Sequence, residues 1–269
     1  MNKTMASKIR RVDQRSHDQL RPLRVSYDVF NYASGSTLFE MGNTKVLCAV
    51  TLQQGVPHFL RGKKSGWLTA EYSLLPASTP IRTVREVTAN KRSGRTIEIS
   101  RLIGRTLRSV VNLDALGEQT IFIDCDVLQA DGGTRTACIT GAYLALRAAV
   151  TRWVHKGILS HTILTDELAA ISVGVTQESA LLDLDFVEDS ATEADFNFVL
   201  TKSGKIVELQ GSAEQFPLTW DHYEEMRFLA IKGVQELFTF FDRNLYIIAP
   251  PEPLPSSQSH NSLYRSIFE

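Results

Sequence analysis

Two stretches concentrate the groups able to do chemistry. The first is Asp131-Gly132-Gly133-Thr134-Arg135-Thr136. Thr134 and Thr136 offer hydroxyls, and Arg135 offers a planar fork of donors suited to oxyanions. Gly132 and Gly133 let the backbone come close to whatever binds, where a Cβ would obstruct it. The second is Leu181-Leu182-Asp183-Leu184-Asp185-Phe186-Val187-Glu188-Asp189. Read as a strand, it sends Asp183 and Asp185 to one face and leaves Asp189 where the strand ends. Carboxylates this crowded repel one another unless a cation or protons intervene. That is how a Mg²⁺ site, or an acid with a raised pKa, is built. A third set, Arg82, Arg85, Arg95, Arg101 and Arg105, makes a basic track.

Each set has a plain alternative: a glycine turn with Thr134 as an N-cap, a solvated acidic edge, a solvated helix face. Together they are the parts of a phosphoryl-transfer site acting on a polyanion. No GxxxxGK[ST] loop occurs, and no nucleophile stands beside a partnered His.

The elements must position these groups. Ile121 to Leu128 is apolar and β-branched, the pattern of a buried strand, and from Ala137 a Pro-free, Ala- and Leu-rich run continues as a long helix. The strand–Gly-Gly–helix order leaves orphan N–H groups at the positive end of that helix, which suits phosphate. Earlier, Ser36 to Met41 and Thr44 to Leu52 read as a hairpin turned at Gly42-Asn43, and Trp67 to Leu75 as another strand. Thr96 to Val111 has apolar residues at helical spacing, and its Glu98 pairs best with an arginine three residues on. Runs beginning at Ile171, Leu181, Asn197 and Lys205 read as a β-meander, and Leu218 to Phe241 as a last helix. Strands and helices are mixed without strict alternation and no GxGxxG opens the chain, so the class is α+β. Residues 1–20 read as a loosely held basic arm, 21–242 as one catalytic domain, and the Pro/Ser-rich 243–269 as a disordered tail.

Composition narrows the partners. A net charge of -1 excludes a globally basic nucleic-acid binder and leaves room for a local basic patch. Cys48, Cys125 and Cys138 lie in apolar stretches without metal-ligand spacing, as core residues of a reducing compartment. The polar N-terminus has no signal-peptide core, and a cytoplasmic location is expected.

The segments GWLTAEYSLLPAST, SGRTIEISRLIGRTLR, QADGGTRTACITGAYLAL and LLDLDFVEDS, in this order, resemble the ribonuclease PH family. The resemblance runs from about residue 18 to about residue 240. It implies a fold of mixed β-sheets packed with α-helices, assembled as a homohexameric ring, a trimer of dimers. It implies a phosphate-dependent 3′→5′ exoribonuclease that trims tRNA precursors. Inorganic phosphate, the co-substrate, would be held by Arg95, Gly133, Thr134 and Arg135. Asp183 and Asp189, with Asp185 beside them, match the catalytic carboxylates, and a divalent metal such as Mg²⁺ would sit on Asp183 and Asp189. Arg82 and Arg85 would grip the RNA. Two departures stand out: Ala77 replaces the arginine of the family's LPRST, and Gln215 stands where a glycine is usual after QGSAE. The rival expectation is a non-catalytic RNA-binding ring subunit of exosome type. A phosphate-independent hydrolytic nuclease is a further one.

Overall fold

The computed structural model describes residues 11–86, 88, 92–176, 179–213 and 217–248. Strands β1 (Leu23–Tyr27), β2 (Gly35–Met41), β3 (Thr44–Gln54) and β4 (Trp67–Leu74) are followed by helices α1 (Gly94–Arg108) and α2 (Leu113–Leu116). Then come β5 (Gln119–Gln129) and the long α3 (Thr134–His155). The second half runs β6 (Leu168–Val175), β7 (Ala180–Leu182), α4 (Phe186–Ala191), β8 (Ala194–Thr201), β9 (Ile206–Ala213) and α5 (Trp220–Arg243). The first sheet has the order β1-β2-β3-β5-β4, antiparallel except for the β4–β5 pair, which α1 and α2 connect. The second, β7-β6-β8-β9, is antiparallel throughout. The hairpin at Gly42-Asn43 and the meander are as the sequence reads, and the fold is α+β.

Helix α3 lies between the sheets and explains its own composition. Almost every residue from Thr134 to Val150 is buried, so the helix has no polar face to expose. Small residues let the strands approach it. A Cβ at Gly141 would stand 3.1 Å from Phe39, and one at Gly35 would stand 2.4 Å from the Ala145 carbonyl. On its other side the Thr140 hydroxyl meets the β6 backbone at Ala170, accepting from its N–H at 3.1 Å. Helix α5 closes the second sheet, with Leu182 and Ile171 side chains against Gly233. One apolar core therefore runs from Phe39 and Val46 through Ile139 and Leu144 to Ile171 and Phe241. Cys48, Cys125 and Cys138 are free, buried thiols within it.

Two expectations need correction here, the first of them at both ends of the chain. Residues 243–248, read as the start of a disordered tail, are held: Arg243 ends α5, the Asn244 carbonyl accepts from Tyr27 Oη at 2.9 Å, and Tyr246 Oη donates to Asp28 Oδ2 at 3.1 Å. Residues 11–20 are not loosely held, because Arg11 and Arg15 are only 3% and 7% exposed. Arg11 Nε donates to Glu188 Oε1 at 2.6 Å, and its Nη1 and Nη2 donate to the Leu182 and Asp183 carbonyls at 2.7 and 2.8 Å. Basic residues bury here because carboxylates on a distant segment neutralise them. The second correction concerns Glu98, which turns from Arg101 toward other elements. Residues 1–10, the tail from 249 onward and Gln215 lie outside the described residues.

Candidate active site

The end of β5 delivers the Asp131–Thr136 loop into α3 as the sequence implies. Gly132 and Gly133 both have positive φ, 73° and 63°, and Gly133 is the N-cap of α3 without a side-chain capping bond. The first helical bond runs from Ala137 N to the Gly133 carbonyl. By helix geometry the N–H groups of Thr134, Arg135 and Thr136 precede the ladder and point outward. Thr134 is not the cap; its hydroxyl lies 3.4 Å from the Tyr72 hydroxyl. Burial pushes the Tyr72 phenol up to about 12, against the pull of the Thr134 hydrogen bond and the Arg95 and Arg135 charges. Tyr72 therefore stays a neutral O–H donor near neutral pH, and both arginines are close enough to act on it.

Arg95 is exposed in the first turn of α1, whose N-terminus Ser93 caps by accepting from Thr96 N at 3.0 Å. Arg135 Nη2 stands 3.6 Å from Glu98 Oε1, and Gln210 Nε2 donates to the same oxygen at 2.8 Å. Arg135 Nε is buried with no protein partner, so a donor edge remains for an oxyanion. Arg105, expected on the basic track, is instead held by two bonds to Glu208 at 2.8 and 2.7 Å.

The acidic stretch folds differently from a strand. β7 stops at Leu182, and Asp183 takes a left-handed conformation at φ 55°. Asp185 then caps α4, in a capping box with Glu188: its Oδ1 accepts Glu188 N at 2.9 Å, and Glu188 Oε2 accepts Asp185 N at 3.0 Å. Asp189 is exposed in the first turn of α4. Asp183 is fully buried. Its Oδ2 accepts from Arg21 N at 2.7 Å and Nε at 3.0 Å, and its Oδ1 from Arg21 Nη2 at 2.7 Å. Arg15 Nη1 adds an ion pair at 3.5 Å. The three carboxylates thus have three environments.

This arrangement bears on the expected metal. Asp183 is expected to be one of two ligands for Mg²⁺, yet its oxygens are enclosed and already held by guanidinium and backbone donors. A hard cation would have to displace two arginines to reach it. Among the described residues no three His, Cys, Asp or Glu side chains gather as a metal site. Of the pair, Asp189 is the carboxylate exposed to an incoming ion, while Asp183 would first have to give up a guanidinium.

The loops meet directly. A Cβ on Gly132 would fall 2.5 Å from the Leu184 carbonyl oxygen, so the close approach that needs this glycine is to the carboxylate loop. Phe186 N donates to Asp131 Oδ1 at 3.4 Å. Ser172 Oγ accepts from Leu184 N at 3.3 Å and lies 3.5 Å from a Cβ built on Gly133. Asn197 pairs with Ser172, Asp195 with Gly174, and Gln210 with Asn197. Paired residues share a sheet face, so Asp195, Asn197 and Gln210 project to the side where both loops sit. Asp195 and Tyr72 are residues that motif reading missed. The one available signal for Asp195 is the alternation of Ala194-Asp195-Phe196-Asn197 on a strand. The segment after β4 adjoins from the other side. Ala130 N bonds the Ser78 carbonyl at 2.8 Å, while Ala77, Arg82 and Arg85 are exposed.

The chain matches the family models described as 3′ exoribonuclease family, domain 1 (residues 19–151) and domain 2 (residues 166–233). Ribonuclease PH of Neisseria meningitidis serogroup B is 53% identical over 223 residues, covering 83% of this chain and 92% of that protein. Ribonuclease PH of Bacillus subtilis 168 is 52% identical over 228 residues, covering 84% and 93%. Among solved structures, rice Rrp46 superposes with a TM-score of 0.71 at 19% identity, covering 88% of this chain and 100% of that one. A chain of the Archaeoglobus fulgidus exosome with RNA bound to the active site gives 0.71 at 22%, covering 87% and 93%. At such identities the two structures speak for the fold alone. Domain models matched in order over most of the length, and relatives above half identity, establish that the chain belongs to the ribonuclease PH family of 3′ exoribonucleases.

Proposed function

We propose that this site shortens RNA from its 3′ end by phosphorolysis. A phosphate oxygen attacks the terminal phosphodiester, the 3′-oxygen of the preceding nucleotide leaves, and a nucleoside diphosphate is released. The observation that carries the reading is the direct packing of an oxyanion cradle, Gly132 to Arg135, on the loop that presents Asp185 and Asp189. The outward N–H groups of α3, the free edge of Arg135 and the Arg95 guanidinium hold inorganic phosphate and offset the charge gathered by two phosphates. Tyr72 fixes the Thr134 hydroxyl beside them. Asp189, exposed on α4, serves the leaving 3′-oxygen and its proton in this reading.

The substrate class is tRNA precursors and similar RNA 3′ ends, with Arg82 and Arg85 on the exposed segment before α1 gripping the backbone. A ring of six copies belongs to the same reading. The outer face of the first sheet supports it, with Leu38, Leu47, Phe122 and Leu128 left half-buried in one copy. The cytoplasm is the compartment that suits three free thiols.

Incubating RNA with and without inorganic phosphate tests the reaction. The expected product is nucleoside diphosphate, formed only when phosphate is present. Monophosphate released at the same rate without phosphate would identify a hydrolase and reject this reading.

Ala77 gives a second test, on RNA grip. A surface arginine on a phosphate adds salt-dependent affinity, changing the slope of log affinity against log salt by about 0.7 to 0.9. Ala77→Arg is expected to tighten tRNA binding and steepen that slope by about this amount, with turnover of a short oligonucleotide nearly unchanged. Unchanged tRNA affinity and slope would mean that this loop does not touch tRNA.

A further inference from the structure

Arg95 and Arg135, the two arginines of the phosphate site, come from different helices, and one carboxylate reaches from the first helix to the second. Arg95 and Glu98 are three residues apart on α1, so they are neighbours on one face of that helix. Glu98 Oε1 lies 3.6 Å from Arg135 Nη2 on α3 and accepts from Gln210 Nε2 on β9 at 2.8 Å. Arg105, two turns further along α1, is close enough to compete for this carboxylate. Its pKa is raised first by hydrogen bonds to Glu208, against the effect of burial, and also by the Glu98 charge. Glu208 removes the competitor by accepting from Arg105 Nε and Nη2 at 2.8 and 2.7 Å. Glu208 and Gln210 are two apart on β9 and so share a face. That face of β9 thus sorts the charges of α1: Glu208 takes Arg105, and Gln210 holds Glu98 beside Arg135. Arg135 Nε stays buried without a protein partner. A contact at Nη2 restrains the plane of the whole guanidinium, because its nitrogens are coplanar.

We propose that Glu98 is a positioning residue of the phosphate site: from α1 it orients the Arg135 guanidinium so that Arg135 and Arg95 address one oxyanion, and Gln210 keeps Glu98 in place. Glu98 does not touch the phosphate. The inference rests on the phosphorolytic reading of the site and adds two residues to it. It accounts for a carboxylate standing beside an oxyanion cradle, where its charge alone would repel the incoming anion. Two guanidiniums aimed at one point also repel each other before phosphate arrives, and a carboxylate beside them offsets that repulsion.

The test uses the full chain, with a short RNA oligonucleotide at saturation and inorganic phosphate varied. Glu98→Gln keeps the shape of the side chain and removes its charge. Charge alone would lower the phosphate KM in this variant, whereas positioning raises it. The expected result is a rise of about fivefold with a smaller fall in kcat. Gln210→Leu should move the KM the same way by less, since Glu98 keeps its charge but loses its anchor. In an Arg135→Ala background Glu98→Gln should add nothing, because the residue acts through that arginine. Melting temperatures should stay near that of the unaltered protein, as the Glu98–Arg135 pair is partly exposed. A phosphate KM that is unchanged or lower in Glu98→Gln would overturn the proposal. So would a further loss of about fivefold in the Arg135→Ala background, which would mark a role independent of the arginine. Phosphate-independent turnover by the unaltered enzyme would instead count against the reaction assigned above.

Discussion

Asp189→Asn is expected to lower kcat by about 10² to 10⁴-fold, the range that a positioned acid or base contributes to a proton-transfer step. The phosphate KM and the affinity for RNA should change little, because no part of the oxyanion cradle is altered. Asparagine keeps the size and shape of aspartate, and the backbone bond from residue 189 N to the Asp185 carbonyl at 2.9 Å does not involve the side chain. The loss of a carboxylate's favourable interaction with the helix dipole in the first turn costs about 0.3 to 1 kcal/mol. The melting temperature should therefore stay near that of the unaltered protein while turnover collapses. Single-turnover assays at saturating phosphate check this directly, and a variant retaining more than about a tenth of the rate would remove Asp189 from the reaction. The neighbouring Asp185 behaves differently on substitution. Its Oδ1 caps α4, so Asp185→Ala would lose helix stability and activity together.

How far the sequence speaks for itself depends on whether the deciding contacts are local. The strand–Gly-Gly–helix unit was legible because periodicity, glycine and helix-end chemistry all lie within a single window, and its Arg135 stands where that reading puts it. The same glycines were only half understood. Their need for close approach is real, but the approaching groups are Leu184 and Arg21, which no local pattern reveals. Leu-Asp-Leu-Asp alternates with the period of a strand, and nothing nearby signals the left-handed turn at Asp183. That turn is decided by Arg21, 162 residues away, whose ion pair repays the burial of a carboxylate. Arg11 and Arg15 illustrate the same limit, since basic residues near a terminus look solvated until Glu188 is found beneath them. Glu98 was assigned to its own helix face, yet its partners lie on α3 and β9. Local rules therefore recover the elements and most chemical groups. Which carboxylate is buried and which is exposed emerges only from the packing.

Arg135→Ala separates the anion role from every other role for this side chain. A charge-assisted hydrogen bond contributes about 1.5 to 3 kcal/mol, so the phosphate KM should rise roughly 10- to 100-fold. The fold should tolerate the change. The contact to Glu98 is a 3.6 Å pair between partly exposed side chains, and Glu98 keeps its 2.8 Å bond from Gln210 after the arginine is gone. Arg135→Lys should recover only part of the loss, because an ammonium restores the charge without the two-donor edge that a phosphate accepts. RNA affinity measured without phosphate should be nearly unaltered in both variants. The opposite split, with weakened RNA binding and an unchanged phosphate KM, would move Arg135 from the attacking phosphate to the substrate backbone. It would leave Arg95 and the α3 N-terminus as the anion's remaining donors. The same titration thus decides which of the two phosphates in the reaction the loop was built to hold.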